Sequence, residues 1–359
     1  CTLRGVAIRP GNSVVLGFVG DTPVLGVSSH LVPAYLGFCL FGLPAIRSLS
    51  KARLRDYRGP WPVQKAQLAL GCESALGVEE FLRVKMGVVN NQPIAVAESD
   101  GHGTLMSLTK ADGLIRIPSD VDSLRRGEEV EVLRLRDNEN LTGHLLVLGT
   151  HDITYDLLRD HLHDRYPQVR LHTAAIGGRK GLECLRRGQC HGAAAHLFDE
   201  ETGDYNVPFL KNCEWNEPVV VIQVLKRWLG LAVAPGNPKG ISGLADLKQP
   251  GIRFVNRQEG SGTRVLLDYH LKQAGVSPEN IRGYDLNAHT HMSTAAAVKG
   301  GTADAAPTIS TAARSLGLDF VPCISERLDF IFPKRFLSLY PHRLIQSLDH
   351  VIQSQGGDR

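Results

Sequence analysis

Apolar and polar positions change rhythm three times along the chain. Residues 1–50 are apolar and Gly-rich, and the run Thr22–Ile46 carries no Lys, Arg, Asp or Glu. A spanning helix wants ~20 mainly apolar residues. Pro23, Pro33 and Pro44 cut this run, so it predicts a buried strand at Val24–Val27 and a buried helix at about Val32–Phe41. Residues 51–137 alternate short apolar runs (Phe81–Met86, Pro93–Ala97, Leu114–Ile117, Val130–Leu135) with the turn residues Gly101, Gly103, Asp112 and Gly113. Such spacing predicts a small β-barrel or sandwich.

From about Gly143 strand and helix signals alternate. Strands are predicted at Leu145–Leu148, Val169–Thr173, Ala193–Phe198, Val219–Leu225, Leu229–Ala234 and Ile252–Val255. Helices are predicted up to Tyr166, near Lys180–Arg187, up to about Ala274 and at Thr294–Lys299, with Ala303–Thr308 extended. The alternation predicts an α/β region with a largely parallel sheet. Its length suits two lobes. The expected organisation is 1–50 as the end of an α/β domain, 51–137 as the barrel, 138–142 as a linker, and 143–359 as the two-lobed part. Lobe 1 would comprise about 143–235 and 316–359, and lobe 2 about 236–315.

Charge and cysteines narrow the class. A formal net charge of +3 without a basic run excludes a general polyanion binder, so no nucleic-acid partner is expected. Neither is a membrane. Seven cysteines without a C-x-x-C predict reduced thiols and a cytoplasmic protein. No basic-then-apolar leader opens the chain. Cys1 reads as a cut point inside a fold.

The sharpest chemical signal is Asn256–Arg264, which includes Arg257, Gly260, Ser261, Gly262 and Thr263 between a strand and a helix. A helix start offers N–H donors and a positive dipole end, and glycines let an anion approach them. Two hydroxyls add donors. The alternative is a plain Ser/Thr cap in a tight turn. The P-loop and dinucleotide spacings are both absent. Gly149-Thr150-His151-Asp152 has the same form, and Gly177–Gly181 a weaker one. Ligands of open α/β sheets bind beyond the carboxyl ends of strands, so these turns predict a clamshell for a small oxyanion. Arg179 and Arg257 could add charge. Twelve of fourteen histidines lie at or after His144, without a metal-ligand spacing. They read as surface or supporting groups, and no metal site is expected. Glu183, Asp199 and Asp304 show no carboxylate partner, so acid–base chemistry is unsupported.

Two resemblances follow from particular stretches. Leu148–Asp152, Tyr205–Pro208, Ala234–Gly240, Arg253–Leu271 and Gly300–Ala305 resemble the periplasmic-binding-protein-like domain joined to molybdenum-cofactor proteins or DNA-binding heads. This implies a type II clamshell with molybdate or tungstate as ligand. Ile8–Gly11, Gly17, Pro23–Gly26 and Val32–Ile46 resemble the last strand and helix of the molybdopterin-binding α/β domain of the molybdopterin molybdenumtransferase family. Phe81–Val84, Leu105–Ile117 and Gly127–Leu133 resemble the small β-barrel that follows it. The resemblance implies molybdopterin as cofactor, magnesium as a candidate for the complete transferase, a homodimer, and molybdenum-cofactor biosynthesis proteins as partners. Two departures stand out. The family's Leu-Pro-Gly-Asn-Pro segment reads Val27-Ser28-Ser29-His30-Leu31 here, and its Gly-Gly-x-Ser-x-Gly loop would precede Cys1.

The reading is a molybdenum-cofactor biosynthesis protein with an oxyanion clamshell beside a transferase-like module. The alternative is a non-enzymatic oxyanion or small-metabolite sensor using the same clamshell. The altered Ser28–Leu31 segment favours the second.

Overall fold

The structure is a computed structural model that describes residues 3–50, 59–98, 105–136, 140–150, 152–259 and 261–339. These divide into two compact units. One runs to Ala193 and resumes at Arg335, and the other is Ala194–Lys334. Gly101, Gly103, Asp137 and residues 138–139 of the expected linker lie outside the described residues.

The first unit opens with β1 (Leu3–Arg4), β2 (Ile8–Arg9), β3 (Val15–Val19) and β4 (Thr22–Gly26). Strands β1, β3 and β4 form a small antiparallel sheet. Helix α1 (Leu31–Leu49) follows, with a π-helical segment at Phe38–Gly42. Its stripe Val32, Leu36 and Cys39 packs with Trp61, Phe81, Leu114 and Leu133. The other face, with Leu31, Phe38, Ile46 and Leu49, is exposed. Two expectations need correction here. The helix extends well past Phe41. Val24 and Val27 are not buried, at 46% and 42% exposure: β4, which holds Val24, is an edge strand paired only with β3 among the described strands, and Val27 lies just beyond its end. Helix α1 is long and apolar enough to cross a membrane by length and composition alone; both of its faces are apolar, and one of them packs on the core.

The barrel comprises β2, β5 (Val63–Leu68), β7 (Glu79–Val89), β8 (Gln92–Ala97), β9 (Gly113–Ile117) and β11 (Glu129–Arg134). The strand order is β2-β7-β8-β5-β11-β9, and the additional β7–β9 pairing closes it. Inward positions Ala66, Leu68, Val84, Met86, Ile115, Val130 and Val132 fill the interior, as period-two alternation requires. A short ribbon, β6 (Cys72–Glu73) with β10 (Ser123–Leu124), lies apart from this sheet. Helix α2 (Leu105–Lys110) precedes β9.

After the barrel come β12 (His144–Gly149), α3 (Ile153–Arg165), β13 (Arg170–Ala175), α4 (Gly178–Arg186) and β14 (Gly192–Ala195). Strands β12 and β13 are parallel. All six β12 residues are buried, which fits the apolar run Leu145–Leu148 within it. Helix α4 approaches β12 closely: a Cβ on Gly181 would stand 2.4 Å from the Leu148 carbonyl oxygen.

The second unit is organised by two fifteen-residue strands, β15 (Val219–Val233) and β19 (Asp319–Pro333). They pair antiparallel, with irregularities at Gln223/Leu225 and Leu229/Gly230. Helix α5 (Val207–Lys211) precedes β15. Strand β18 (Ala305–Ile309) also runs antiparallel to β15, so the expectation of a largely parallel sheet fails in this unit. The two strands predicted at 219–225 and 229–234 are one, since the backbone absorbs the interruption as bulges. The strand predicted at Ile252–Val255 reduces to a bridge between Phe254 and Ala305. Regular pairing starts one residue later, where β16 (Asn256–Arg257) runs parallel to β17 (Asn287–Ala288). Helices α6 (Gly262–Gln273), α7 (His291–Lys299) and α8 (Ser310–Ser315) complete the unit. Leu229, Leu231, Phe254, Leu266, Leu267 and Leu271 anchor its core. The α/β fold and the preceding barrel are as the sequence predicts.

Candidate functional site

Strands β16 and β17 are parallel neighbours, and each feeds a helix: β16 leads to α6 and β17 to α7. Their carboxyl ends bring two helix starts together at Arg257, whose backbone is paired with Ala288. Ser261 caps α6, its hydroxyl oxygen accepting from the Arg264 N–H at 3.2 Å. Thr290 caps α7, accepting from the Ser293 N–H at 3.0 Å. Thr263, in the first turn of α6, is buried. Gly262 keeps that turn slim, because a Cβ there would lie 3.1 Å from Nε2 of His196. Gly260 lies outside the described residues.

Arg257 decides the character of this place. The residue is only 9% exposed. Its Nη2 donates to the His289 carbonyl at 3.0 Å. Its Nε and Nη1 are buried and find no hydrogen-bond partner among the described residues. Burial lowers its pKa from the usual value, although a guanidinium stays charged in proteins. Arg264, seven residues on, is the contrast. It is equally buried, but it donates to Asp268 at 3.1 Å and stacks 3.9 Å over the Tyr284 ring. Arg264 is therefore satisfied by the fold, whereas Arg257 leaves donors over.

The surroundings hold charges of both signs. His291 is pushed down to about 3, first by burial and then by the charges of Arg257 and Arg227, so it is neutral at pH 7. Glu326 is buried and accepts from Nε of Arg227 at 2.6 Å, with Nε2 of His196 3.9 Å from its other oxygen. A buried cation with spare donors beside two helix N-termini is chemically suited to an anion.

The other predicted seat lies in the first unit. Gly149 takes φ 143°, and its carbonyl accepts from Ile176 N–H at 2.9 Å and Gly177 N–H at 3.1 Å. Thr150 follows, half-buried. His151 lies outside the described residues. Asp152 caps α3, accepting from the Thr154 N–H at 2.9 Å and from its hydroxyl at 2.6 Å. This helix start thus already holds a carboxylate of the chain itself.

A family model described as the PBP superfamily domain matches residues 159–353, over half of the chain. The chain belongs to the PBP superfamily. A second model, described as the MoeA C-terminal region (domain IV), matches residues 65–135. The protein therefore joins a MoeA-like barrel to a PBP superfamily domain. The uncharacterized protein YvgK of Bacillus subtilis (strain 168) is 35% identical over 210 residues, 58% of this chain and 66% of YvgK. Protein MJ0666 of Methanocaldococcus jannaschii, whose name refers to molybdopterin biosynthesis, is 32% identical over 134 residues, 37% of this chain and 30% of MJ0666. The chain thus spans less than two thirds of the length of either curated relative. Among solved structures, a phosphate transport receptor from Vibrio cholerae is 14% identical, with a TM-score of 0.43, covering 59% of this chain and 98% of that one.

Within the PBP superfamily domain, Asn206 now has a physical role. It is fully buried, with φ 57°. Its Oδ1 accepts from Leu197 N–H at 2.7 Å, and its Nδ2 donates to Ala195 O at 3.1 Å and to Asp329 Oδ2 at 2.8 Å. It locks the chain entering α5 to β19. The three single carboxylates are held by basic or backbone groups. Glu183 pairs with Arg126 and Arg187, Asp304 binds Arg253, and Asp199 caps the Thr202 turn. Arg179 is exposed.

Of the two readings given to the histidines, the surface one fails for His144, His172 and His191, which are buried at 1%, 7% and 9% exposure. His144 and His172 gather on Asp112, a residue the sequence marks as a turn but the structure buries completely. Burial opposes ionisation of Asp112, yet hydrogen bonds from both rings outweigh it and hold its carboxyl well below the usual range. The one available signal was polarity at the start of an apolar strand, at His144.

Proposed function

We propose that the protein is linked to molybdenum-cofactor biosynthesis and that its PBP superfamily domain captures a small oxyanion, molybdate or tungstate, at Arg257, Ser261, Gly262 and Thr263. The observation that carries this reading is the buried Arg257 guanidinium with two unpartnered donors beside the α6 start. A tetrahedral dianion accepts from Nε and Nη1 of Arg257, from the Ser261 and Thr263 hydroxyls, and from backbone N–H groups of the first turn. The Ser261 oxygen already accepts from Arg264 N–H, which leaves its hydroxyl proton to donate. The barrel, which matches the MoeA C-terminal region over 65–135 and is shared with a relative named for molybdopterin biosynthesis, would give the captured metal oxyanion a destination in molybdopterin.

Calorimetric titration of the whole chain with molybdate, tungstate, sulfate and phosphate tests the reading. Saturable binding of molybdate or tungstate, in preference to the other two, is expected. Ser261→Ala and Thr263→Ala should each weaken it by about 1–3 kcal/mol, the range for a hydrogen bond to a charged group. Absence of saturable binding of either metal oxyanion would overturn it.

A further inference from the structure

A second constellation, remote in sequence from the anion seat and confined to the first unit, has no role in the function above. Asp112 stands immediately before β9, His144 opens β12, and His172 lies in β13. Strands β12 and β13 are parallel neighbours, which sets the two rings at a centroid distance of 4.9 Å. Three ligand-type atoms converge. Nε2 of His172 is 3.1 Å from Oδ2 of Asp112, Nδ1 of His144 is 3.6 Å from the same oxygen, and the two nitrogens are 3.2 Å apart.

Hydrogen bonding alone serves this triangle poorly. Neutral imidazoles carry one proton each, so at most two protons can point into it. The Met86 carbonyl, 3.2 Å from Nδ1 of His144, competes for one of them. Oδ2 of Asp112 already accepts from the Met86 N–H at 2.6 Å. Oδ1 of Asp112 is buried and has no hydrogen-bond partner among the described residues. An orphaned carboxylate oxygen in a fully buried residue is costly unless a cation answers it.

The geometry points to a structural zinc site formed by Asp112, His144 and His172. Zinc holds nitrogen and carboxylate oxygen at about 2.0–2.2 Å, so tetrahedral ligand atoms stand roughly 3.3–3.6 Å apart, close to the observed edges. Two imidazoles with one carboxylate is a donor set for zinc, whereas calcium and magnesium select oxygen sets. Oδ1 of Asp112 and the Met86 carbonyl are the further oxygens at hand. Near-complete burial leaves no open position for a substrate, so the ion would be structural. It would fasten the barrel, through Asp112, to the first two strands that follow it.

The test uses the whole chain, stripped with a chelator and titrated with Zn2+ against a competing metal indicator. One equivalent of zinc should bind and raise the melting temperature. Co2+ should give the intense visible absorption of a tetrahedral site. Asp112→Asn should weaken zinc binding by at least about 100-fold, as loss of a ligand must exceed the effect of losing its supporting groups. If that variant does not fold, the zinc-dependent melting shift and cobalt spectrum of the unaltered chain decide the matter. Failure of the stripped chain to bind one equivalent of zinc, or equal affinity in Asp112→Asn, would overturn the site.

Discussion

Replacing Arg257 by Met should weaken anion binding while leaving the ligand-free protein no less stable. These two effects have opposite physical origins. Nε and Nη1 of Arg257 are buried without partners among the described residues, and Nη2 donates to His289 O. Removing the guanidinium costs that one bond, about 1.5–3 kcal/mol, and relieves the desolvation of a charge whose two remaining donors are unmet, a term of similar size. Methionine keeps most of the side-chain volume. With anion bound, the two donors are used, and each is worth about 1.5–3 kcal/mol as a charged hydrogen bond. Their loss at the lower limit, about 3 kcal/mol, corresponds to roughly a 100-fold rise in Kd. Calorimetry with molybdate or tungstate measures the second quantity, and urea unfolding in anion-free buffer the first. Destabilisation of the ligand-free protein by more than about 2 kcal/mol with unchanged anion affinity would refute the argument, because Arg257 would then be a fold-stabilising group like Arg264.

Other outcomes follow from single contacts. Asn206→Asp removes the donors to Ala195 O and Asp329 and sets a second carboxylate against Asp329; urea unfolding should show a loss of about 3 kcal/mol or more, and a loss below about 1 would mean that the lock is dispensable. Gly230→Ala would place a Cβ 2.0 Å from Val321 O, at the β15 bulge, and should cost at least about 2 kcal/mol by thermal unfolding. His191 is pushed down to about 4 by burial; Nδ1 accepts from Leu146 N–H, so the neutral ring donates from Nε2 to Val88 O. The unfolded chain, with an ordinary histidine near 6.5, binds the proton first, so stability present above that pH is lost as pH falls towards 4, by up to about 3 kcal/mol. Unfolding curves of the His191→Gln chain between pH 4 and 7 should lack that loss, and an unchanged pH profile would remove His191 as its source.

Much of the fold was legible because each element carries a local signal. The barrel strands alternate, β12 carries the apolar run Leu145–Leu148, and α6 opens with Ser261 and Gly262 ahead of a periodic stripe. Strand β19 was not legible. Ser325, Glu326, Arg327 and Asp329 interrupt its apolar pattern; Arg227 meets Glu326, Asn206 and Arg327 meet Asp329, and Arg327 also reaches Tyr205 O. The anion seat was visible as a motif, but the feature that gives it weight was not. Sequence shows an arginine at 257; only the folded chain shows which of two nearby arginines is left with unused donors. The Asp112, His144 and His172 cluster was silent for a related reason. Its members come from separate strands, and the adjacency of the two histidines is created by parallel pairing of β12 with β13, a non-local event that no spacing records.

The seam between the barrel and β12–β13 bears on how such a protein can change over time. It is made of main chain as much as of side chains: Lys85 Nζ reaches Thr173 O at 3.0 Å, His191 Nε2 reaches Val88 O at 3.0 Å, and a Cβ on Gly87 would stand 3.0 Å from His144 O. Two ancestral modules joined in this way cannot be exchanged like beads on a string. A barrel borrowed from a relative would have to bring its own glycine at the point of closest approach and acceptors at the same heights. The two parts are therefore expected to be inherited as a matched pair, with substitutions on one side of the seam answered on the other.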